Sequence, residues 1–356
     1  MPASSVDRRK LLALGGASLV SACAPRGALG VRPDLTPAQL QSVWALAIGE
    51  QKPLALHGTT RLETTALSRY VRHDVSIPKA REIGEVNWPG DQINSDRDFY
   101  VHALEQMDSL EQMLDQVAAR LKPGQDVTVF VHGYNSNYAE AVYRHAQMAH
   151  DYEDEGVHIS IVWPSAASAT GYLTDRDATL IARDHLERIL PRLTRRFPGR
   201  VVLVGHSMGA FLVMETLRQM SIGGTGVARD LGALVLVSPD IQIGVFQAQV
   251  ARIEEMPEVT IVVVSQRDRA LQLSSTLAGG QPRLGSPADI EVLSGMDLLV
   301  FDLSDLPNSG RGNHLAVTTS PAAVAFIRGL SSDDPALQDR RGAGLLVIRV
   351  PLLIPR

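Results

Sequence analysis

Residues 201–209 read Val-Val-Leu-Val-Gly-His-Ser-Met-Gly, and this stretch decides how the rest of the chain is interpreted. The four apolar residues predict a strand buried on both faces, and the residues after the turn have a helical pattern. Glycine stands two positions before and two positions after Ser207, as a very tight strand-to-helix turn requires. Such a turn lifts the Ser207 hydroxyl above the edge of a sheet. We therefore interpret Ser207 as a nucleophile; the alternatives are a structural turn and a phosphate-binding turn.

Apolar runs of similar length recur on both sides of this stretch, with helix-like segments between them. The predicted strands are 127–131, 158–163, 201–204, 233–237, 259–264 and 298–301. The predicted helices are 137–151, 176–196, 208–220, 244–255 and 268–278. This alternation predicts an α/β fold: a mostly parallel, doubly wound sheet covered by helices.

The segments outside this core predict additions to it. Apolar spacing favours a helix over 36–50 and a long helix over 103–121. Short strand-like runs between turn formers favour a small antiparallel elaboration; they lie at 54–61, 70–71, 75–78 and 83–86. The apolar tail, at 345–348 and 352–354, is too short to span a bilayer and favours an added strand or a packed arm.

A nucleophilic serine needs a base and an acid. The serine turn on a predicted parallel sheet resembles that of the α/β-hydrolases, in which the acid and then the histidine follow the serine along the chain. His314 is the one histidine after Ser207, in a loop beyond the last predicted strand. Asp268 follows the 259–264 strand and is our candidate acid. Asp240, at the end of the 233–237 strand, is the alternative.

Acyl transfer also needs donors for the oxyanion that forms on the substrate. The backbone amide of Met208, directly after the nucleophile, is one candidate. The other is the amide of Tyr134, because His132 and Gly133 follow a buried strand and allow a sharp turn there. The alternative is a plain turn at the strand end.

Candidates for a substrate pocket are the aromatic residues near these loops. They are Tyr138, Trp163 and Tyr172, and 164–176 is a candidate short cap. Packing against the core is the commoner fate of an aromatic side chain and stays open as the alternative.

The first residues are typical of an export signal rather than of the fold. Arg8 and Arg9 precede a short apolar run, 11–20, in the manner of a bacterial twin-arginine signal. The run ends in Val-Ser-Ala before Cys23, a pattern that resembles the lipidation site of bacterial lipoproteins. We therefore expect an exported, periplasm-facing protein of the cell envelope, bound to the membrane through lipidated Cys23. The alternative is an ordinary secretory signal.

Length and composition set the outer limits. The chain has 356 residues, a formal net charge of −5 and a single cysteine. These values argue against a disulfide framework, a multi-cysteine metal site and a dedicated nucleic-acid binder. We expect no metal and no cofactor. The predicted divisions are a signal peptide at 1–22, a tether with the N-terminal helix at 23–53, a catalytic domain at 54–330 and a tail at 331–356.

Together, the segments around Gly133, Ser207 and Asp268 resemble the DUF900 group, an esterase- and lipase-like bacterial branch of the α/β-hydrolase superfamily. Other matching segments are 58–61, 75–78, 163–165 and 279–285. The resemblance implies an α/β-hydrolase fold and hydrolase chemistry, without a settled substrate. We therefore expect a serine hydrolase that cleaves a small carboxylic ester, or a thioester. The alternative is a catalytically silent envelope lipoprotein that keeps the fold as a scaffold or a ligand-binding module.

Overall fold

The computed structural model describes residues 27–49, 68–277, 279–287, 290–306, 314–329 and 346–349. Within these ranges ten strands form one sheet, in the order β10-β9-β8-β7-β6-β4-β5-β1-β2-β3. The strands are β1 (Leu40–Ile48), β2 (Ser68–Ser76), β3 (Tyr100–Met107), β4 (Val127–Val131), β5 (Val157–Val162), β6 (Val201–His206), β7 (Ala233–Val237), β8 (Thr260–Val264), β9 (Leu299–Asp302) and β10 (Leu346–Arg349).

Helices cover both faces of this sheet. They are α1 (Leu110–Arg120), α2 (Tyr138–Asp151), α3 (Tyr172–Arg196), α4 (Met208–Ile222), α5 (Ile243–Val250), α6 (Arg269–Leu277), α7 (Ala316–Thr319) and α8 (Pro321–Gly329). Buried residues of α1, α3 and α4 share one core with one face of the central strands. Buried residues of α2 and α8 pack against the other face. The predicted doubly wound α/β architecture is therefore confirmed.

The parallel half of the sheet forms where the sequence predicts it. β4 lies between β5 and β6, with Val127 opposite both Val157 and Val201. The central strands are continuous apolar runs because helices bury both of their faces. The carboxyl ends of β4, β6, β8 and β9 meet at one edge, so the loops that follow these strands lie near one another.

The N-terminal half of the sheet corrects the helix predicted over 36–50. Residues 40–48 form β1, which pairs antiparallel with β2 and parallel with β5. Val43, Ala45 and Ala47 face one core, whereas Trp44, Leu46 and Ile48 face the other. A strand that is apolar on both faces has no alternation to reveal it, and a helical spacing can be picked out of it by chance.

The helix predicted over 103–121 is also too long. Residues 100–107 form β3, which pairs antiparallel with β2, and the helix α1 begins only at Leu110. Ser109 caps the helix, because its side chain accepts a hydrogen bond from the Gln112 amide at 3.1 Å. The predicted antiparallel elaboration is confirmed in β1–β3, but 83–86 form turns and coil rather than a strand.

Several predictions fall outside the described residues. They are the signal peptide at 1–22, Cys23 and the strand at 54–61. At the other end, residues 346–349 form the added strand β10, parallel to β9. None of the helices in the described ranges has the length and apolar character of a membrane-spanning segment.

Candidate active site

Ser207 occupies a strained turn between β6 and α4. Its backbone has φ 54° and ψ −120°, a conformation that costs about 1–3 kcal/mol for a residue other than glycine. Hydrogen bonds hold it there: the Ser207 amide donates to the Val237 carbonyl at 2.9 Å, and the Ser207 carbonyl accepts from the amides of Ala210 and Asp240, each at 3.1 Å. The turn that residues 205–209 predict is therefore present, and it holds Ser207 at the N-terminus of α4.

The glycines of this turn are required by close backbone contacts. A Cβ on Gly205 would lie 2.7 Å from the Cα of Ala210. A Cβ on Gly209 would overlap the carbonyl oxygens of Val131 and His132, at the end of β4. A Cβ on Gly133 would lie 2.9 Å from the Cβ of Ser207. The loop after β4 therefore passes directly against the serine turn.

His314 and Asp268 are brought together from two different loops. The Nδ1 atom of His314 lies 2.9 Å from the Oδ2 atom of Asp268. Asp268 is fully buried, and its Oδ1 atom accepts the Leu271 amide at 3.0 Å, which caps the start of α6. An aspartate at a helix N-terminus is stabilised as an anion by the helix dipole. The His314 side chain stays 17% exposed, so the rest of its ring is accessible.

Asp240, the alternative acid, has other partners. Its Oδ1 atom lies 3.2 Å from Nε of Arg283 and accepts the Ser274 hydroxyl at 2.6 Å. Its Oδ2 atom accepts the Tyr172 hydroxyl at 2.9 Å. Asp240 is thus part of a buried network that joins α3 to α6. The structure pairs His314 with Asp268 instead.

The loop after β4 is fixed by a histidine and a tryptophan. The His132 ring is stacked on the Trp163 ring, with centroids 4.9 Å apart, and the Trp163 indole donates to the His132 carbonyl at 2.7 Å. The Trp163 amide donates to Nε2 of His132 at 3.1 Å, so Nδ1 carries the proton and donates to the Gly133 carbonyl at 2.9 Å. Burial lowers the pKa of His132 to about 4, so this ring is neutral at pH 7.

His206 has a role that the sequence did not indicate. Its Nε2 atom lies 3.2 Å from the carbonyl oxygen of His314, and the two rings are 4.8 Å apart. Burial, followed by the positive charge that His314 can carry, lowers the pKa of His206 to about 3. The ring is therefore neutral and can donate its Nε2 proton to the His314 backbone. The sequence places His206 in the motif but carries no signal that it contacts a loop 108 residues away.

A cavity of about 240 Å³ lies beside these groups. Its wall includes Gly133, Tyr134, His206 and His314, together with Trp88 and Arg144. The loop that passes against Ser207 therefore forms part of the cavity wall.

The three aromatic pocket candidates lie elsewhere. Trp163 is 1% exposed and Tyr138 is 4% exposed, because both pack in the core. The Tyr138 hydroxyl lies 3.2 Å from Nε2 of His73, and the Tyr172 hydroxyl bonds to Asp240. None of the three is among the residues that line this cavity. The candidate cap consists of a loop up to Gly171, after which α3 begins.

The groups at this site are a serine on a strained turn, an imidazole and a buried carboxylate. Such a set can move a proton from a hydroxyl to an imidazole whose other nitrogen is held by the carboxylate. In the described ranges there is no cluster of three or more His, Cys, Asp or Glu side chains that could hold a metal ion.

The fold and this site define an α/β hydrolase. The chain belongs to the DUF900 family, described as α/β hydrolases of unknown function, whose model matches residues 107–330. The match spans β4, the serine turn and the loops that carry Asp268 and His314. A comparison with the curated proteins gives no match.

Solved structures give distant likenesses. A hyperthermophilic esterase from the archaeon Pyrobaculum calidifontis is 11% identical, with 63% of this chain and 80% of that chain covered and a TM-score of 0.33. A thermostable carboxylesterase cloned from a metagenomic library is 11% identical, with 94% and 98% covered and a TM-score of 0.31. S-formylglutathione hydrolase from Staphylococcus aureus is 12% identical, with 83% and 100% covered and a TM-score of 0.33. Likeness at this level carries no information about the substrate.

Proposed function

We propose that this protein is a serine hydrolase that cleaves a small carboxylic ester, or a thioester, through an acyl-enzyme. The observation that carries the proposal is the pairing of His314 with buried Asp268 at 2.9 Å. The His314 ring also lies 4.8 Å from the ring of His206, the residue directly before the strained Ser207. A structural serine turn has no need of a strained backbone, nor of a histidine–aspartate pair assembled from two other loops. The membership in a hydrolase family supports the same chemistry.

The proposed reaction begins with Ser207. His314 takes the hydroxyl proton at Nε2 while the oxygen attacks the acyl carbon, and the carbonyl oxygen of the substrate becomes an oxyanion. The amides of Met208 and Tyr134 are the proposed donors to that oxyanion. His314 then gives its proton to the leaving alcohol or thiol, and water repeats the sequence to release the acid.

Asp268 has two roles in this mechanism. By accepting a hydrogen bond from Nδ1 of His314, it keeps the ring proton on Nδ1 and leaves Nε2 unprotonated, as acceptance of the Ser207 proton requires. Its negative charge then stabilises the imidazolium that forms during attack. The hydrogen bond from the Leu271 amide keeps the carboxylate oriented for both roles.

A panel of p-nitrophenyl esters, from acetate to palmitate, together with acyl thioesters, tests the activity. We expect hydrolysis by the wild-type protein and a loss of at least about 1,000-fold in kcat for Ser207→Ala. Ser221→Ala is the matched control: Ser221 lies at the other end of α4, where its hydroxyl accepts the Glu254 amide at 3.0 Å. Activity that survives Ser207→Ala would contradict the mechanism. A folded wild-type protein without activity on the whole panel would favour a silent scaffold instead.

We further propose that the protein is anchored in the bacterial cell envelope through lipidated Cys23. The support is the order of paired arginines, a short apolar run and a cysteine preceded by small residues. Cys23→Ser should move the protein from the membrane fraction to the soluble fraction. Membrane association that is unchanged in Cys23→Ser would contradict the anchor, without bearing on the hydrolase.

A further inference from the structure

Asp175 is a buried carboxylate for which the mechanism above has no role. It lies in the first turn of α3, and its relative exposure is 0%. A buried carboxylate is costly unless hydrogen bonds or a cation satisfy it. Its surroundings therefore show what it holds in place.

Three donors from two separate loops meet at this carboxylate. The Oδ2 atom accepts the backbone amide of Asn135 at 3.1 Å and the hydroxyl of Ser165 at 2.7 Å. The Oδ1 atom accepts the backbone amide of Ala166 at 2.5 Å. Asp175 thus joins the loop after β4 to the loop after β5.

The first of these donors lies next to the proposed oxyanion site. Asn135 directly follows Tyr134, and its φ of 56° places it in the left-handed region. The bond to Asp175 fixes the peptide plane between these two residues, on one side of the Tyr134 amide. The Tyr134 hydroxyl also attaches this loop, because it donates to the Ala169 carbonyl at 2.5 Å. Ala169 lies in the loop that leads into α3, and Asp175 lies in the first turn of α3.

We propose that Asp175 is a positioning residue that aims the Tyr134 amide at the substrate oxyanion by holding the Asn135 amide. This inference rests on the proposed serine-hydrolase function. Its charge matters because all three partners are donors, whereas the side chain of asparagine has one acceptor oxygen and a donor NH₂ group. In Asp175→Asn the NH₂ group faces the Asn135 N–H or the Ala166 N–H, so the side chain no longer holds the loops after β4 and β5 together.

A shift of the loop weakens oxyanion stabilisation without touching the His314–Asp268 pair. Misplacing a catalytic group by about 1 Å can cost about 100-fold in rate. We therefore expect Asp175→Asn to lower kcat by about 10- to 100-fold and to change KM by less than about threefold.

The test compares the binding of a transition-state analogue with the binding of substrate. A phenylboronic acid forms a tetrahedral adduct with a nucleophilic serine and presents an oxygen to the oxyanion donors. Its Ki should rise in Asp175→Asn by about the same factor as kcat falls. The acid limb of the kcat/KM pH profile should keep its midpoint, because the base and its aspartate are unchanged. A residue with a purely structural role would not change kcat and the boronate Ki by the same factor while leaving KM and the pH midpoint nearly unchanged.

Asp177→Asn is the matched control, since Asp177 lies two residues further along α3 and is exposed. It should leave kcat, KM and the boronate Ki within about twofold. If Asp175→Asn fails to fold, Ser165→Ala takes its place, because it removes one of the three donors. In that variant we expect a two- to fivefold rise in the boronate Ki.

The possible outcomes separate this inference from the function on which it rests. A boronate Ki that is unchanged in Asp175→Asn, or in Ser165→Ala if that variant is needed, overturns the role of Asp175 and leaves the hydrolase standing. A shifted pH midpoint would also overturn it, since the effect would then act through His314. A wild-type protein that neither hydrolyses esters nor binds the boronate overturns both.

Discussion

Changing the two candidate acids, Asp268 and Asp240, each to asparagine tests which of them supports the base His314. Asp268 lies 2.9 Å from Nδ1 of His314, whereas Asp240 lies 3.2 Å from Nε of Arg283. Asparagine keeps the size of the side chain and removes its charge. The two variants should therefore fail in different measurements.

Asp268→Asn acts on the chemistry. Its amide can donate to Nδ1 of His314, which moves the ring proton to Nε2, so that the ring no longer accepts the proton of Ser207. We expect kcat to fall by about 10⁴, which corresponds to about 5 kcal/mol of lost transition-state stabilisation. The Leu271 amide can still donate a hydrogen bond to the asparagine oxygen, so we expect the Tm to change little.

Asp240→Asn acts on stability instead. The Arg283 side chain is 5% exposed, and the substitution leaves its guanidinium buried without an anionic partner. Breaking a buried pair in this way costs about 3 kcal/mol or more, which lowers Tm by roughly 6–12 °C in a domain of this size. We expect kcat to change by less than about fivefold at a temperature where the variant is folded.

The assays are ester hydrolysis at saturating substrate and thermal unfolding followed by circular dichroism. The reverse result would refute the assignment: a 10⁴-fold loss of kcat in Asp240→Asn together with near-normal activity in Asp268→Asn. That result would mean that Asp240 supports the base in the working enzyme.

Three further predictions concern the turn, the base and pH. Gly209→Ala should destabilise or unfold the protein, because the added Cβ overlaps the end of β4. Gly90→Ala is the control: a Cβ there has nothing within 4 Å, so the free energy of unfolding in urea should change by less than about 0.5 kcal/mol. Equal stability of the two variants would contradict the close contact at Gly209. His206→Phe should lower kcat/KM by about tenfold, since it removes the donor to the His314 carbonyl, and an unchanged value would mean that this bond positions nothing. Burial lowers the pKa of His132 to about 4 and that of His206 to about 3, so the unfolded chain binds more protons below pH 6.5. The free energy of unfolding should therefore fall as the pH is lowered from 6.5 to 4, by up to about 1.4 kcal/mol per pH unit for each histidine. Urea unfolding at pH 7.5 and at pH 5.5 checks this. A stability at pH 5.5 that is equal to or higher than that at pH 7.5 would contradict it.

The positions of Ser207, His314 and the candidate acids near one another were predictable, because the sheet topology brings their loops together. Parallel strands bring their carboxyl ends to one edge, so the loops that follow β6, β8 and β9 converge whatever their separation along the chain. The sequence narrowed the base to His314 but left two acids open. The choice between them depends on where each carboxylate points, which a linear pattern does not contain.

The first strands were harder to predict for a physical reason. β1 is buried on both faces, so apolar residues stand at nearly every position and fit a helical period as well as a strand. β3 carries apolar residues three and four apart and runs almost directly into α1, so the two elements together resemble one long helix.

The supporting residues were not predictable at all. Asp175 is an acidic residue in the first turn of a helix, which is an ordinary preference on the surface as well. Only its burial and its bond to the Asn135 amide set it apart. Likewise, Tyr138 and Trp163 are of residue types that are common in binding pockets, and only their burial shows that they pack in the core.

Covalent labelling with a fluorophosphonate, followed by peptide mass spectrometry, tests the central claim most directly. The reagent reacts with serines that are activated by a base, and it requires no knowledge of the substrate. The account predicts a single major adduct on the peptide that contains Ser207, with labelling abolished in Ser207→Ala and strongly slowed in His314→Ala. An adduct on another residue, or no adduct on the folded wild-type protein, would contradict it.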